Sequence, residues 1–144
     1  GGVVRTKLEE ALQNGKPEAI ITSYRQILAS IPYDLYEREE KKNGESFYHA
    51  VLLTLLWAAR IPTYAENHSY KGRSDIEIEY RGRVYIIEMK TASGALACDA
   101  AADDAIAQIK AKGYADKYDP AVTTLIGIAV DKEKRQVGAY RIVL

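Results

Sequence analysis

Cysteine is nearly absent from this sequence, because Cys98 is the only one among its 144 residues. A single cysteine excludes an internal disulfide and a zinc site built from several cysteines. Such scarcity is typical of proteins that fold in a reducing compartment. We therefore expect a cytoplasmic protein.

An excess of charge of one sign is also missing. Twenty Lys and Arg residues balance twenty Asp and Glu residues, so no overall field attracts the chain to nucleic acid or to a membrane surface. A polyanionic partner must then be held by a local patch or through a metal ion. The longest apolar run, residues 50–59, is too short to span a bilayer and is interrupted by Thr54. No signal peptide precedes it, and we expect no membrane association.

The apolar patterns that are present predict one α/β layer. Periodic apolar residues predict helices over residues 4–14, 17–31, 45–60 and 99–118, with Asn43 capping the third. Alternating or unbroken apolar runs predict strands over residues 63–70, 75–80, 83–89, 122–130 and 136–143. Helices followed by the order β-β-β-α-β-β indicate a mixed sheet with helices packed on it.

The second and third predicted strands form a hairpin with charges at the end away from its turn. A two-residue turn at Arg81-Gly82 places Tyr80 opposite Arg83 and Asp75 opposite Glu88. Alternation puts Lys90 on the same side as these two carboxylates. Opposed side chains lie about 4.5–5.5 Å apart at Cβ, where like charges destabilise the pair unless a cation joins them.

Two interpretations of these charges are open. Carboxylates and a backbone carbonyl suit Mg²⁺ or Mn²⁺, and Lys90 could hold a water or a phosphate oxygen beside such a metal, as a hydrolytic site requires. The alternative is a solvated, charged sheet face without a ligand.

A wider set of motifs favours the metal site. These are "IPY" at residues 31–33, "ESFYHAVL" at 45–52, "GRSDIEIE" at 72–79, "VYIIEMK" at 84–90 and "AIAQIKAKGYADKY" at 105–118. Together they resemble the PD-(D/E)XK nuclease superfamily, and within it the bacterial family commonly found as the C-terminal domain of proteins with an AAA-ATPase-like N-terminal domain. The resemblance implies a restriction-endonuclease-like core of order α-β-β-β-α-β, here with two extra N-terminal helices.

The resemblance also implies roles for individual residues. Asp75 and Glu88 would be metal ligands, joined by the backbone carbonyl of Met89 and by Glu45. Lys90 would orient or help deprotonate the attacking water, and Gln108 would lie beside the signature. An acidic residue in the first turn of a helix is also favoured by the helix dipole, so a structural role for Glu45 stays open.

Substrate contacts are predicted on both sides of the signature. Lys71 and Arg73 precede Asp75 and could contact phosphate or simply balance the acidic strand. Lys112 lies one turn after Gln108 on the predicted helix, and Tyr114 could stack on a base; a solvated helix face is the alternative for Lys112. For His49 and Glu66 we favour helix packing and a surface strand charge over a place in the site.

These features lead to a hypothesis about the whole chain. We expect an N-terminal helical extension over residues 1–42 that packs on a nuclease-like core over residues 43–144. The Gly-Gly start without a methionine suggests a domain cut from a longer, ATPase-linked protein. We predict a nuclease that uses Mg²⁺ or Mn²⁺ to hydrolyse DNA, and a homodimer is left open. The alternative is a non-catalytic module of the same fold that binds nucleic acid or protein.

Overall fold

The structure, a computed structural model, describes residues 2–65 and 76–144. Within these ranges five strands form one sheet in the order β1-β2-β3-β4-β5. The strands are β1 (Thr63–Ala65), β2 (Ile76–Tyr80), β3 (Arg83–Ala92), β4 (Thr123–Asp131) and β5 (Gln136–Val143). β3 and β4 pair parallel and the other neighbours pair antiparallel. The predicted mixed α/β sheet is confirmed.

Five α-helices accompany the sheet in the same described ranges. They are α1 (Gly2–Gln13), α2 (Glu18–Ser30), α3 (Tyr33–Asn43), α4 (Glu45–Ala58) and α5 (Ala95–Ala111), and a 3₁₀ turn, Pro120–Val122, precedes β4. α1 and α2 are the two predicted N-terminal helices. None of the helices in the described part of the chain combines the length and apolar character that crossing a bilayer requires.

α3 was not predicted. Its sequence, YDLYEREEKKN, is largely charged and has apolar residues only near its N-terminal end, so it lacks the apolar stripe along its length by which a helix is predicted. Tyr36 attaches this helix to the rest of the molecule: its ring is buried, and its hydroxyl donates a hydrogen bond to the Leu28 carbonyl at 2.8 Å. Because α3 extends through Asn43, the prediction that Asn43 caps the next helix is wrong. Gly44, at φ 54°, precedes α4 instead.

The register of the hairpin agrees with the prediction wherever both strands are described. Ile76 pairs with Ile87 and Tyr80 with Arg83. Arg81 and Gly82 both have positive φ, at 49° and 81°, which is the conformation of a type I′ turn and twists as the strands do.

The two faces of the sheet carry different helices. One face presents Ile78, Tyr85 and Ile87 to the N-terminal helices in a large apolar core, and the Tyr85 hydroxyl donates to the Leu12 carbonyl of α1 at 2.5 Å. The other face presents Val84 and Ile86 to α5. α5 is displaced from the predicted range 99–118: it begins after Gly94 and ends at Ala111, before Gly113 at φ 68°.

Candidate active site

Glu88 lies on the α5 face of β3, at a point where β3 extends beyond the described part of β2. Its pairing partner on the other side is Gly127 of β4. Side chains alternate along a strand, so Glu88 and Lys90 share the face of Val84 and Ile86. Glu88 is only 2% exposed. A solvated charged face, the alternative interpretation of the sequence, is therefore wrong for this carboxylate.

Gln108 of α5 links Glu88 to Lys90. The Lys90 ammonium donates to Gln108 Oε1 at 2.6 Å, and Gln108 Nε2 donates to Glu88 Oε2 at 2.6 Å. Three of the residues predicted for the site thus form one hydrogen-bonded array. The array joins the central strand β3 to the helix that covers it.

Glu45 approaches the same end of β3 from the opposite helical layer. Its Oε2 accepts a hydrogen bond from the backbone N–H of Thr91 at 3.2 Å. The carboxylate therefore contacts the strand that carries Glu88 and Lys90, in addition to lying in the first turn of α4, where the helix dipole favours it. The first turn of α4 is in this way attached to the end of β3 that bears the array.

Comparison with known proteins decides the family of this fold and site. A family model described as the PD-(D/E)XK nuclease superfamily matches residues 43–140, a range that includes Glu45, Glu88, Lys90 and Gln108. This chain belongs to the PD-(D/E)XK nuclease superfamily.

One curated relative extends the match. The chain is 30% identical over 123 residues to a protein of Azotobacter chroococcum mcd 1 described as an uncharacterized protein in the vnfD 5′ region. The match covers 83% of this chain and 22% of that protein, so the chain spans about a fifth of the length of the relative. No solved structure matches the chain.

Several predicted residues of the PD-(D/E)XK site lie outside the described residues. They are the first carboxylate of the signature, Asp75, and the two basic residues before it, Lys71 and Arg73. Glu66, for which a surface strand charge is predicted, also lies outside them. The predicted pairing of Asp75 with Glu88 continues the observed register by one residue. It stays a prediction.

The predicted substrate contacts Lys112 and Tyr114 follow the end of α5 at Ala111 and do not lie on the helix as predicted. Lys112 is exposed and donates its backbone N–H to the Gln108 carbonyl at 3.0 Å. Tyr114 is half-buried and packs on the apolar cluster that includes Val84 and Ile86. Both residues therefore follow directly after the helix that carries Gln108.

A buried carboxylate on β2, Glu77, was not singled out from the sequence. It is 5% exposed and pairs with Ile86, so it lies on the same sheet face as Glu88. It accepts a hydrogen bond from the Tyr118 hydroxyl at 2.5 Å, and its Oε1 is 3.4 Å from the Lys117 ammonium. Strand alternation predicts that Glu77 lies on this face. The sequence does not show that it is buried, and burial is what distinguishes it from an ordinary surface charge.

The side chains of this PD-(D/E)XK site fit a hard divalent cation by their chemistry. The candidate donors are carboxylate and carbonyl oxygens, which Mg²⁺ and Mn²⁺ prefer, and Glu88 is a buried carboxylate held in place by an amide. Over residues 2–65 and 76–144, no group of three or more His, Cys, Asp or Glu side chains is arranged to hold a metal. The predicted ligand set includes Asp75, which lies outside these ranges.

Proposed function

We propose that this chain is a metal-dependent nuclease domain that hydrolyses phosphodiester bonds in DNA. One observation carries the proposal: a buried glutamate, a glutamine and a lysine form a hydrogen-bonded array at the signature positions of a PD-(D/E)XK chain. Burying a carboxylate costs free energy of folding, even when an amide and a cation lie beside it. Such an arrangement is typical of functional sites, and it is useful for hydrolysis.

The residues of the array would divide the work. Asp75, Glu88, the Met89 carbonyl and Glu45 would hold Mg²⁺ or Mn²⁺, which when bound supplies positive charge that stabilises negative charge on the phosphate. Lys90 would use the N–H groups that Gln108 leaves available to orient a water or hold a phosphate oxygen. In the hydrolysis, the water oxygen bonds to phosphorus, one P–O ester bond breaks, and the leaving oxygen takes up a proton.

We propose the substrate contacts and the wider context on the same basis. Lys71, Arg73, Lys112 and Tyr114 would contact the nucleic acid, the first three through phosphates. Residues 1–42 would form a helical extension of the core at residues 43–144, in line with a family match that begins at residue 43. An ATPase-like domain of the same parent chain and a cytoplasmic location belong to the proposal as well, and a homodimer is left open.

The proposal is tested by cleavage of plasmid and oligonucleotide DNA in Mn²⁺, comparing the wild type with Glu88→Gln. We expect cleavage by the wild type and a loss of about 100-fold or more in the variant, because a ligand and its charge are removed. Glu79→Gln, an exposed carboxylate on the same sheet face, is the matched control and should cut normally. We also expect Mg²⁺ or Mn²⁺ to raise the melting temperature of the wild type but not of Glu88→Gln.

The balanced charge of the chain leaves a second candidate open, a non-catalytic module that binds nucleic acid or protein. Under this function the wild type would cut neither single- nor double-stranded DNA, and divalent metals would leave its melting temperature unchanged. Those two results together would overturn the nuclease proposal.

A further inference from the structure

One carboxylate of the sheet, Glu77, makes two polar contacts with the loop between α5 and β4, residues 112–119. The Tyr118 hydroxyl donates to Glu77 Oε1 at 2.5 Å, and the Lys117 ammonium lies 3.4 Å from the same oxygen. The ammonium also lies 5.2 Å from the centre of the Tyr118 ring. We call residues 112–119 the α5–β4 loop.

Two sets of hydrogen bonds connect the segment from Gln108 to Tyr118 to the same face of the sheet. At the first, Gln108 of α5 bonds to Glu88 and Lys90 on β3. At the second, Tyr118 bonds to Glu77 on β2, opposite Ile86 and two residues short of Glu88 along the same face. The end of α5 and the loop therefore cross from β3 to β2 beside the candidate active site.

The buried carboxylate of Glu77 is compensated by its contacts with the loop. A buried carboxylate loses much hydration and must be compensated by hydrogen bonds or charge, and Glu77 receives both. Burial, and then the hydrogen bond to Glu77, raise the pKa of Tyr118 above its ordinary value. A tyrosine hydroxyl is protonated at neutral pH in any case, and the raised pKa keeps it a donor to more alkaline pH.

Lys117 keeps its charge available to solvent. Its side chain is 60% exposed, whereas that of Glu77 is 7% exposed. The ammonium is thus held at one position by a buried partner while most of its surface faces outward. With Lys112 at the start of the loop, the loop presents two lysines and the aromatic ring of Tyr114.

We propose that the α5–β4 loop is a nucleic-acid-binding element and that Glu77 is the positioning residue that holds it in its binding conformation, with Lys117 as a phosphate contact. The inference rests on the proposed function for the identity of the ligand. A loop that is ordered before binding loses less conformational entropy when the ligand arrives. Loosening it weakens the binding of DNA and leaves the chemistry of bound DNA intact.

The test measures DNA affinity in Ca²⁺ and single-turnover cleavage in Mn²⁺ for Tyr118→Phe and Glu77→Gln. Tyr118→Phe removes one hydrogen bond and keeps the ring. We expect the Kd for DNA to rise about tenfold in each variant, the effect of a lost hydrogen bond to a charged group. The cleavage rate at saturating DNA should stay within about twofold of the wild type. Glu79→Gln is the control for charge on the same face.

Lys117→Gln tests the phosphate contact through the salt dependence of DNA binding, which the loss of a purely structural residue would not change. Removing one phosphate contact should reduce the slope of log K against log salt concentration by about one. Three results would each overturn the inference: an unchanged slope, an unchanged Kd in both loop variants, or a fall in the saturated rate at unchanged Kd.

A wild type that binds DNA without cutting it would overturn the nuclease proposal alone, since the affinity measurements still decide the role of the loop. A wild type that does not bind DNA overturns the inference itself.

Discussion

Gln108 joins two oppositely charged side chains through the two ends of one amide. Its carbonyl accepts from Lys90 and its NH₂ group donates to Glu88. A carboxylate at this position could not donate, and a lysine could not accept. The amide therefore suits its two partners better than either charged residue would, and it connects Lys90 to Glu88.

Lys90→Ala tests the role of the lysine separately from metal binding. We expect cleavage in Mn²⁺ to fall about 100-fold or more, because the array loses the group that orients water or phosphate. The rise in melting temperature with divalent metal should persist, since the carboxylates remain. Lys110→Ala, an exposed lysine of α5, should behave as the wild type. Retained cleavage in Lys90→Ala would remove Lys90 from the proposed chemistry.

At the level of elements, the close approach of α5 to β4 sets the position of Gln108. A Cβ added at Gly127 would lie 2.7 Å from the Ala102 carbonyl oxygen and 3.1 Å from Ala105 Cβ. Gly127 is also the pairing partner of Glu88 on β4. Helix and sheet thus touch at the level of the candidate active site, where a side chain would force them apart.

Gly127→Ala should therefore disturb both stability and the site. The added methyl group meets backbone and buried side chains that cannot rotate away, so we expect a loss of about 1–3 kcal/mol in the free energy of unfolding. Cleavage should fall as α5 shifts. Urea unfolding and the cleavage assay give the two measurements, and a variant as stable as the wild type would show that α5 can move without cost.

The turn between β4 and β5 depends on the buried carboxylate of Asp131. Burial by itself would raise the pKa of Asp131, but backbone N–H groups of Gly94, Glu133 and Lys134 donate to it and lower the pKa below its ordinary value. A lowered folded-state pKa stabilises the fold above the unfolded pKa, and this contribution is lost as the pH falls through the folded pKa.

Asp131→Ala should thus destabilise the protein most near neutral pH. We expect the difference in unfolding free energy between wild type and variant to be constant above about pH 5 and to shrink below the ordinary Asp pKa of about 3.9. Urea titrations across this range provide the measurement. A difference that grows on acidification would contradict the assigned direction of the pKa shift.

For the whole molecule, the N-terminal helices complete the core of the sheet although the family match begins at residue 43. Leu8 and Leu12 of α1 and Ile20 and Tyr24 of α2 are all fully buried. They belong to the same apolar cluster as Ile78, Tyr85 and Ile87 of the sheet. Without them, the part of this face that α4 does not cover would be exposed to water.

Deletion of residues 1–42 should consequently abolish cooperative thermal unfolding of the remaining chain or cause it to aggregate, because a large apolar face is exposed. Leu12→Ala is the milder counterpart, with an expected loss of about 2–5 kcal/mol. Calorimetry of both variants measures this. A deleted chain that melts cooperatively at the wild-type temperature would show that the helical extension is dispensable for the core.

The sequence by itself determined the local pairings and the type of each strongly patterned element. The Arg81-Gly82 turn and strand alternation are short-range properties, and they were enough to predict the observed hairpin register and to place Glu88 and Lys90 on one face. The wider motif pattern likewise led to the superfamily. The roles of the site residues remain predictions.

Only the tertiary structure decided which charges are buried and what holds them. The contact of Gln108 with Glu88 and Lys90, that of Glu45 with Thr91, and the attachment of Tyr118 to Glu77 join residues 18 to 46 positions apart. The attachment of α3 to α2 through the Tyr36 hydroxyl is likewise a feature of packing that the sequence of α3 does not reveal. Burial and long-range hydrogen bonds depend on how elements pack, and packing is not encoded in the spacing of residues within any one element.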